Sequence, residues 1–174
     1  MSIAVTTGRR REPWRRFAVK AALLLAGLYA GGSYLGDRFS LGIDPQISRC
    51  LPEVRVVLID KHDHTPVRGG MVAVQTKGLA PLFADGTVFV KIVDGLPGDR
   101  VQVDEAAVAV NGVRVGEGLD LLSTLDRPVS EFVREIEVPN GHLWLMGRTR
   151  DSYDSRYYGT ASEEQIVGRA YKLF

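Results

Sequence analysis

The chain of 174 residues contains one cysteine, Cys50, and only three histidines. A single thiol cannot form an intrachain disulfide, so the sequence neither requires nor excludes an oxidising compartment. Residues 21–36 contain no charged side chain. The scarcity of cysteine and histidine leaves few ligands for a soft-metal site. The uncharged stretch is long enough to be part of a candidate membrane segment.

Basic charge is concentrated at the N-terminus. Residues 1–20 carry six basic side chains and one acidic side chain, whereas the chain from residue 37 onward carries 16 basic and 20 acidic side chains. The main domain therefore has an acidic excess. A domain of this charge is a poor candidate for nucleic-acid binding, so no nucleic-acid partner is expected.

Residues 17–36 form an apolar stretch interrupted only by Lys20, close to its start. Twenty helical residues rise roughly 30 Å, enough to cross a hydrocarbon core. The preceding arginines predict a cytoplasmic basic tail at 1–16, a transmembrane anchor at 17–36 and a periplasmic domain at 37–174. A cleaved signal peptide is the alternative, but the apolar run is long for one and no clean Ala-x-Ala site follows it.

Downstream of a linker at 37–49, the sequence predicts a mostly β domain, a coiled antiparallel sheet or barrel-like fold. Short runs rich in β-branched residues predict strands at 54–60, 70–75, 87–93, 101–104, 106–110, 113–115, 135–138, 142–146 and 165–173. Asn111-Gly112 and Pro139-Asn140-Gly141 predict two hairpins. Residues 118–133 have mixed helical spacing.

The predicted strand at 87–93 has apolar residues on both faces and one lysine, Lys91, in its middle. We expect the strand to be buried on both sides. Because burial disfavours the charged form of an amine, a lysine in this position can act as a base near neutral pH. The alternative is an edge-strand lysine whose stem packs while its head reaches water.

Three separated segments together resemble the type I signal peptidases. They are Cys50-Leu51-Pro52 before a strand, the lysine strand running into Leu96-Pro97-Gly98-Asp99, and the late loop 147–159 with Asp154-Ser155-Arg156-Tyr157-Tyr158-Gly159. The Cys-Leu-Pro spacing is similar to the conjugative-transfer (TraF-like) branch, where the nucleophile stands two residues before a proline. The departure is a cysteine in place of the family's serine.

The resemblance implies a role for each matching residue. Cys50 corresponds to the nucleophile and Lys91 to the general base, and Ser48 with the Cys50 backbone N–H corresponds to the oxyanion hole. Ser152 and Asp154 would orient the lysine and the late loop. Asp99 and Arg156 would form a structural loop pair, in which the arginine binds a loop carboxylate.

The chemistry is coherent from the residues alone, because a nucleophile activated by a desolvated lysine needs no histidine. A thiol is also easier to deprotonate than a hydroxyl. Three alternatives remain: Cys50 as a small structural residue, Ser48 as the nucleophile, and Asp154 with Arg156 as a structural ion pair. His62 and His64 lie in a short polar turn, which favours a solvated loop over a metal site.

The resemblance implies a peptidase at the cytoplasmic (inner) membrane that removes leader peptides from pre-proteins. Its TraF-like branch implies a pilin precursor as substrate, with conjugative secretion components as partners and with cyclisation by aminolysis as a second outcome. No metal or organic cofactor is implied. The alternative function is a catalytically inactive scaffold of the same fold in pilus or secretion assembly.

Overall fold

A computed structural model describes residues 13–44 and 50–174. The chain divides into two units, 1–37 and 38–174, which are considered separately. The first contains most of the helix α1 (Trp14–Arg38), which starts directly after Pro13 and has a basic residue in its last turn, where the helix dipole favours a cation. By length and composition α1 can cross a membrane. The predicted span at 17–36 lies within it.

The second unit is built from two antiparallel sheets, which confirms the mostly β prediction. Its strands are β1 (Phe39–Ile43), β2 (Val56–Asp60), β3 (Met71–Gln75), β4 (Val88–Gly95), β5 (Arg100–Val103), β6 (Ala107–Val110), β7 (Val113–Glu117), β8 (Arg134–Glu137), β9 (His142–Met146), β10 (Ala161–Ser162) and β11 (Ile166–Lys172). Short helical segments are α2 (Leu122–Leu125), α3 (Ser155–Tyr158) and two 3₁₀ turns at Val129–Glu131 and Glu163–Gln165.

The larger sheet has the strand order β1-β2-β11-β3-β4-β9-β10, and the smaller one has the order β7-β6-β5-β8. Within the described residues both sheets are open, with β1 and β10 at the edges of the larger sheet. The domain is therefore formed of two coiled sheets rather than one closed barrel.

Strand β9 connects the two cores because it is buried on both faces. Leu143 and Leu145 pack in the core of the larger sheet, and Trp144 and Met146 pack against the smaller sheet. Alternating side chains point to opposite faces of a strand, so one short strand contributes to both cores. The loop that follows β9 is thereby anchored at its start.

One predicted hairpin is confirmed and the other is wrong. Asn111 and Gly112 both have positive φ, at 52° and 78°, and connect the paired strands β6 and β7. The turn at 139–141 instead connects strands of different sheets, since β8 pairs with β5 while β9 pairs with β4 and β10. Local turn chemistry predicted the bend, but non-local pairing decided the partners.

Residues 39–43, predicted to belong to a linker, form β1 and pair with β2. The predicted strand at 87–93 is present as β4, with a different burial from the one expected. The face of β4 that carries Lys91 and Val93 is buried, whereas Val88, Val90 and Ile92 on the other face stay exposed or half-buried. One buried face is enough to enclose the lysine.

Candidate active site

Lys91 is buried in the middle of β4, with 2% of its surface exposed. Its cross-strand neighbour is Val72 on β3, which is also buried. The Nζ atom donates a hydrogen bond to the Ser152 hydroxyl at 2.8 Å and lies 5.5 Å from the centre of the Phe89 ring. Among the described residues Lys91 forms no ion pair with a carboxylate. A general base has to be held in a defined position inside the site, and the contacts of Lys91 meet this geometric condition.

Ser152 lies in the loop after β9 and is fully buried. Its backbone N–H donates to the carbonyl of Thr149 at 3.3 Å, closing a local turn. The position of its hydroxyl therefore depends on the loop backbone, and the predicted contact between Ser152 and the lysine is present in the structure.

A buried ion pair between Arg156 and Asp154 holds this loop. Both side chains are nearly inaccessible, and the Asp154 carboxylate accepts hydrogen bonds from Arg156 Nε at 2.8 Å and from the Gly147 backbone N–H at 2.8 Å. Arg156 also donates to the carbonyls of Thr149 and Ser152. Burial lowers the pKa of Arg156, but the contact with Asp154 outweighs it, so the pKa is raised above its ordinary value. Arg156 therefore stays charged, and its pair with Asp154 holds the loop at Gly147, Thr149 and Ser152.

Cys50 is half-buried and lies beside this loop. Its carbonyl oxygen accepts a hydrogen bond from the Arg148 backbone N–H at 2.6 Å. The guanidinium of Arg148 in turn donates two hydrogen bonds to the carboxylate of Asp94 on β4, at 2.7 and 2.9 Å. Arg148 therefore links the chain at Cys50 to the strand that carries the lysine.

Gly147 lies between Cys50 and Ser152 and is close to both. A Cβ atom placed on Gly147 would lie 2.6 Å from Ser152 Cβ and 3.1 Å from the Cys50 carbonyl oxygen, and would overlap the Ser152 hydroxyl. A residue without a side chain is required at this position so that the three groups can approach one another.

Cys50 and Lys91 line the same cleft, which has a volume of about 490 Å³. Most of the lining is apolar, and Phe83, Phe89 and Tyr153 form one wall. Phe83 makes an edge-to-face contact with Phe89 at 4.8 Å and a tilted contact with Tyr153 at 5.4 Å. A mostly apolar cleft with a few convergent polar groups is the usual form of a binding site.

The cleft runs along an open edge of β4. Five consecutive residues, 87–91, line it, although successive side chains of a strand point to opposite faces. The strand β4 pairs with β3 from Val88 onward, whereas its pairing with β9 begins only at Ile92. Among the described residues the first half of β4 thus has a strand neighbour on one side only. Its other edge is available to a further strand.

The predicted pairing of Asp99 with Arg156 is wrong, because each residue has another partner. Asp99 forms an ion pair with Arg68 at 2.5 Å and accepts hydrogen bonds from the Leu96 backbone N–H and the Asn111 side chain. Burial raises the pKa of Asp99, but these bonds outweigh it and hold the pKa below its ordinary value. Asp99 fixes the turn after β4, whereas Arg156 fixes the loop after β9 through Asp154.

Two further predictions concern Ser48 and the histidines. Ser48 lies outside the described residues. The His64 ring is hydrogen-bonded to the backbone carbonyls of Ile166 and Lys61, at 3.1 and 2.8 Å. Within 13–44 and 50–174 no group of three or more His, Cys, Asp or Glu side chains is arranged to hold a metal.

Sequence reasoning missed the close approach at Gly147 and several residues that line the cleft, among them Arg55, Phe83 and Asp151. Gly147 directly follows a predicted strand and begins a predicted loop, which was a usable signal for a close backbone approach. Phe83 gave no such signal, because it lies in a loop whose path depends on contacts with distant residues.

A model of the family described as signal peptidase, peptidase S26, matches residues 46–174. The chain belongs to the peptidase S26 family. The matched range contains Cys50, Lys91 and the loop that carries Ser152.

Individual signal peptidases are similar either to about half of the chain or, at lower identity, to most of it. The chain is 34% identical over 87 residues to a probable signal peptidase I-2 of Synechocystis, covering 49% of this chain and 38% of the relative. It is 36% identical over 91 residues to signal peptidase I of Bacillus caldolyticus, covering 47% and 50%. A probable signal peptidase I-1 of Synechocystis is 27% identical over 161 residues, covering 91% and 78%. The chain thus spans half or less of the length of the first two relatives.

Proposed function

We propose that this S26 protein is a membrane-anchored signal (leader) peptidase with Cys50 as nucleophile and Lys91 as general base. The observation that carries the proposal is a buried lysine, hydrogen-bonded to Ser152 at 2.8 Å, that lines the same cleft as the chain's single cysteine. A nucleophile, a base within one cleft and a group that orients the base are the parts that such catalysis needs.

The reaction runs through a thioester. The Cys50 thiol gives its proton to the Lys91 amine, and the sulfur attacks the scissile carbonyl to form a tetrahedral intermediate. The Cys50 backbone N–H and the Ser48 hydroxyl stabilise its oxyanion, each donor contributing about 3 kcal/mol. The C–N bond then breaks, and the leaving amine takes the proton from Lys91. Water, deprotonated by Lys91, hydrolyses the thioester and regenerates the thiol.

The substrate binds as an extended strand along the open edge of β4. Ladder alternation places the N–H and C=O groups of Val88 and Val90 on the side away from β3, where a peptide can pair with them. Recognition by strand addition suits an extended leader segment of a pre-protein, because main-chain hydrogen bonds supply affinity and alternate side chains enter pockets.

The helix α1 anchors the enzyme in the cytoplasmic membrane. Its length and composition allow it to span the bilayer, and the arginines that precede it support an orientation with the N-terminus inside and the catalytic domain on the periplasmic side. The cleft then faces the compartment into which leader peptides emerge.

We further propose a pilin precursor of a conjugative system as the substrate, with conjugative secretion components as partners. The support is the Cys50-Leu51-Pro52 spacing, which resembles the TraF-like branch. Cyclisation needs a second acyl-enzyme, because the first thioester holds the leader and attack on it by the new pilin amine would only restore the precursor. If Cys50 also cleaves a bond near the C-terminus of the pilin, the thioester holds the C-terminal carbonyl of the pilin and the C-terminal fragment leaves as an amine. Attack by the N-terminal amine of the pilin in place of water then closes the ring and releases the Cys50 thiol. Hydrolysis and cyclisation differ by the mass of one water molecule in the product.

The test uses the full-length protein in detergent micelles with a purified pilin precursor. Wild type is expected to release the leader, Lys91→Ala to lose activity, and Cys50→Ser to retain a small fraction because oxygen can replace sulfur. Mass spectrometry of the product separates linear from cyclic pilin. If folded Lys91→Ala cleaves at the wild-type rate, the lysine is not the base. If wild type binds the precursor without cleaving it, the scaffold alternative is correct.

A further inference from the structure

Two charged side chains of the cleft have no side-chain partner among the described residues. Arg55 and Asp151 both line the cleft and are both exposed, and neither side chain forms an ion pair or hydrogen bond among residues 13–44 and 50–174. By contrast, Arg148 and Arg156 in the neighbouring loop each bind a carboxylate. Charges that stabilise the fold are paired here, and these two are left available to a ligand.

Arg55 lines the cleft beside two side chains of β2. It stands directly before this strand, and Val57 and Ile59 of the strand are buried and line the same cleft. The Arg55 backbone is held by hydrogen bonds to Asp44 and Phe174, which leaves the side chain as the part that can respond to a bound peptide.

Asp151 approaches the cleft from the loop after β9. It stands directly before Ser152, whose hydroxyl receives the Lys91 hydrogen bond, and two residues before Tyr153 in the aromatic wall. The loop backbone is fixed by the buried pair of Arg156 and Asp154. The Asp151 carboxylate is therefore presented to the cleft from a rigid support.

We propose that Arg55 and Asp151 are specificity-determining residues that select the charges of the bound peptide. The peptide position that lies against Arg55 prefers an acidic side chain, and the position against Asp151 prefers a basic one. This inference rests on the proposed peptidase function, because it assumes that an extended peptide occupies the cleft. It adds a charge pattern to the recognition of the peptide main chain.

The test measures peptide binding without cleavage, in full-length Cys50→Ala protein in detergent micelles. The probes are fluorescein-labelled, alanine-rich twelve-residue peptides in which each position is replaced in turn by Asp, Asn or Lys, and binding is followed by fluorescence anisotropy. At one position Asp is expected to bind about three- to fivefold more tightly than Asn, the range of an exposed ion pair. At another position Lys is expected to bind more tightly than Asn by the same factor.

Charge variants assign each preference to its residue. Arg55→Gln should abolish the preference for Asp, and Arg55→Glu should reverse it in favour of Lys at the same position, while Asp151→Lys should do the converse at the second position. The matched control is Arg100→Glu, since Arg100 is an exposed arginine on β5 outside the cleft. It should leave both preferences unchanged. Salt should weaken them, because it screens exposed charges.

Three results would overturn the inference. If Asp, Asn and Lys peptides bind equally at every position, the cleft does not select charge, and cleavage of the precursor still decides the peptidase function separately. If the preferences persist in Arg55→Glu and Asp151→Lys, other residues cause them. If no peptide binds while wild type cleaves the precursor, the cleft is not the peptide site.

Discussion

The close contact at Gly147 gives the sharpest single-residue prediction. In Gly147→Ala, the added methyl group would lie 2.6 Å from Ser152 Cβ and 3.1 Å from the Cys50 carbonyl oxygen. Ordinary contacts of this kind are at least about 3.4 Å, so the neighbouring chain has to move by about 1 Å. The movement separates the segment that carries Cys50 from the hydroxyl that receives the Lys91 hydrogen bond.

The magnitude follows from two separate effects. Misplacing catalytic groups by about 1 Å lowers the rate by about 100-fold, and overpacking a tight site costs about 1–3 kcal/mol of folding free energy. We therefore expect kcat/KM of Gly147→Ala to fall about 100-fold, while Tm falls by only ~3–10 °C. The protein stays folded at the assay temperature but its catalytic groups no longer meet.

Two assays separate these effects. Precursor cleavage gives kcat/KM, and alkylation of Cys50 by iodoacetamide at pH 7 reports on the thiol without any substrate, because the chain has only one cysteine. Alkylation of Gly147→Ala should slow to the rate of Lys91→Ala. The matched control is Gly116→Ala, whose added methyl meets only the flexible end of Met146 and should change both rates by less than about twofold.

A Gly147→Ala protein with wild-type kcat/KM and wild-type alkylation would show that the separation of Cys50 from Ser152 does not matter for the reaction. Equal losses in Gly147→Ala and Gly116→Ala would also contradict the prediction, since the effect would then come from general packing.

Three further predictions concern the support of the lysine and the turn after β4. Ser152→Ala removes the acceptor 2.8 Å from Lys91 Nζ. It should lower kcat about 10- to 100-fold with little change in KM, because a buried amine without a partner costs about 1–3 kcal/mol. An unchanged kcat in steady-state assays would contradict this. Arg156→Lys keeps the charge but loses the planar guanidinium that binds Asp154 and the loop carbonyls. The free energy of unfolding, measured in urea, should fall by about 2–4 kcal/mol. A fall of less than about 0.5 kcal/mol would mean that Arg156 does not hold the loop. The pKa of Asp99 is lowered on folding, so its stabilisation is present at neutral pH and is lost as the pH falls below about 4. Tm measured between pH 2 and 7 should therefore fall less steeply on the acid side in Asp99→Asn than in wild type, and parallel curves would exclude Asp99 as a source of the acid sensitivity.

The residues at the centre of the site could be predicted because their chemistry is conspicuous in the sequence. A lysine inside an apolar strand is unusual, and the structure buries Lys91. That signal is local, because it depends on the residue and its immediate neighbours. The resemblance to type I signal peptidases, and not a local signal, implied that Ser152 orients the lysine, and the two side chains are in contact.

Features that depend on long-range pairing could not be predicted in the same way. The bend at 139–141 was found, but the exchange of strand partners between two sheets depends on the cores on both sides of β9. Phe39, Leu41 and Ile43 alternate as in a strand, yet their proximity to the apolar stretch made them resemble a linker. A sequence does not show that Arg55 and Asp151 lack a side-chain partner among the described residues, because this depends on which other charged groups the fold brings near them.

If Cys50 is the nucleophile, it carries the acyl group during turnover, and mass spectrometry after acid quenching detects that group. Trypsin cuts after Arg49, so the fragment 50–55 contains Cys50 and the fragment 39–49 contains Ser48. We predict a leader segment attached as a hydroxylamine-sensitive thioester to the fragment 50–55. Attachment to the fragment 39–49, or steady cleavage while every Cys50 thiol remains open to alkylation in the quenched sample, would contradict the account.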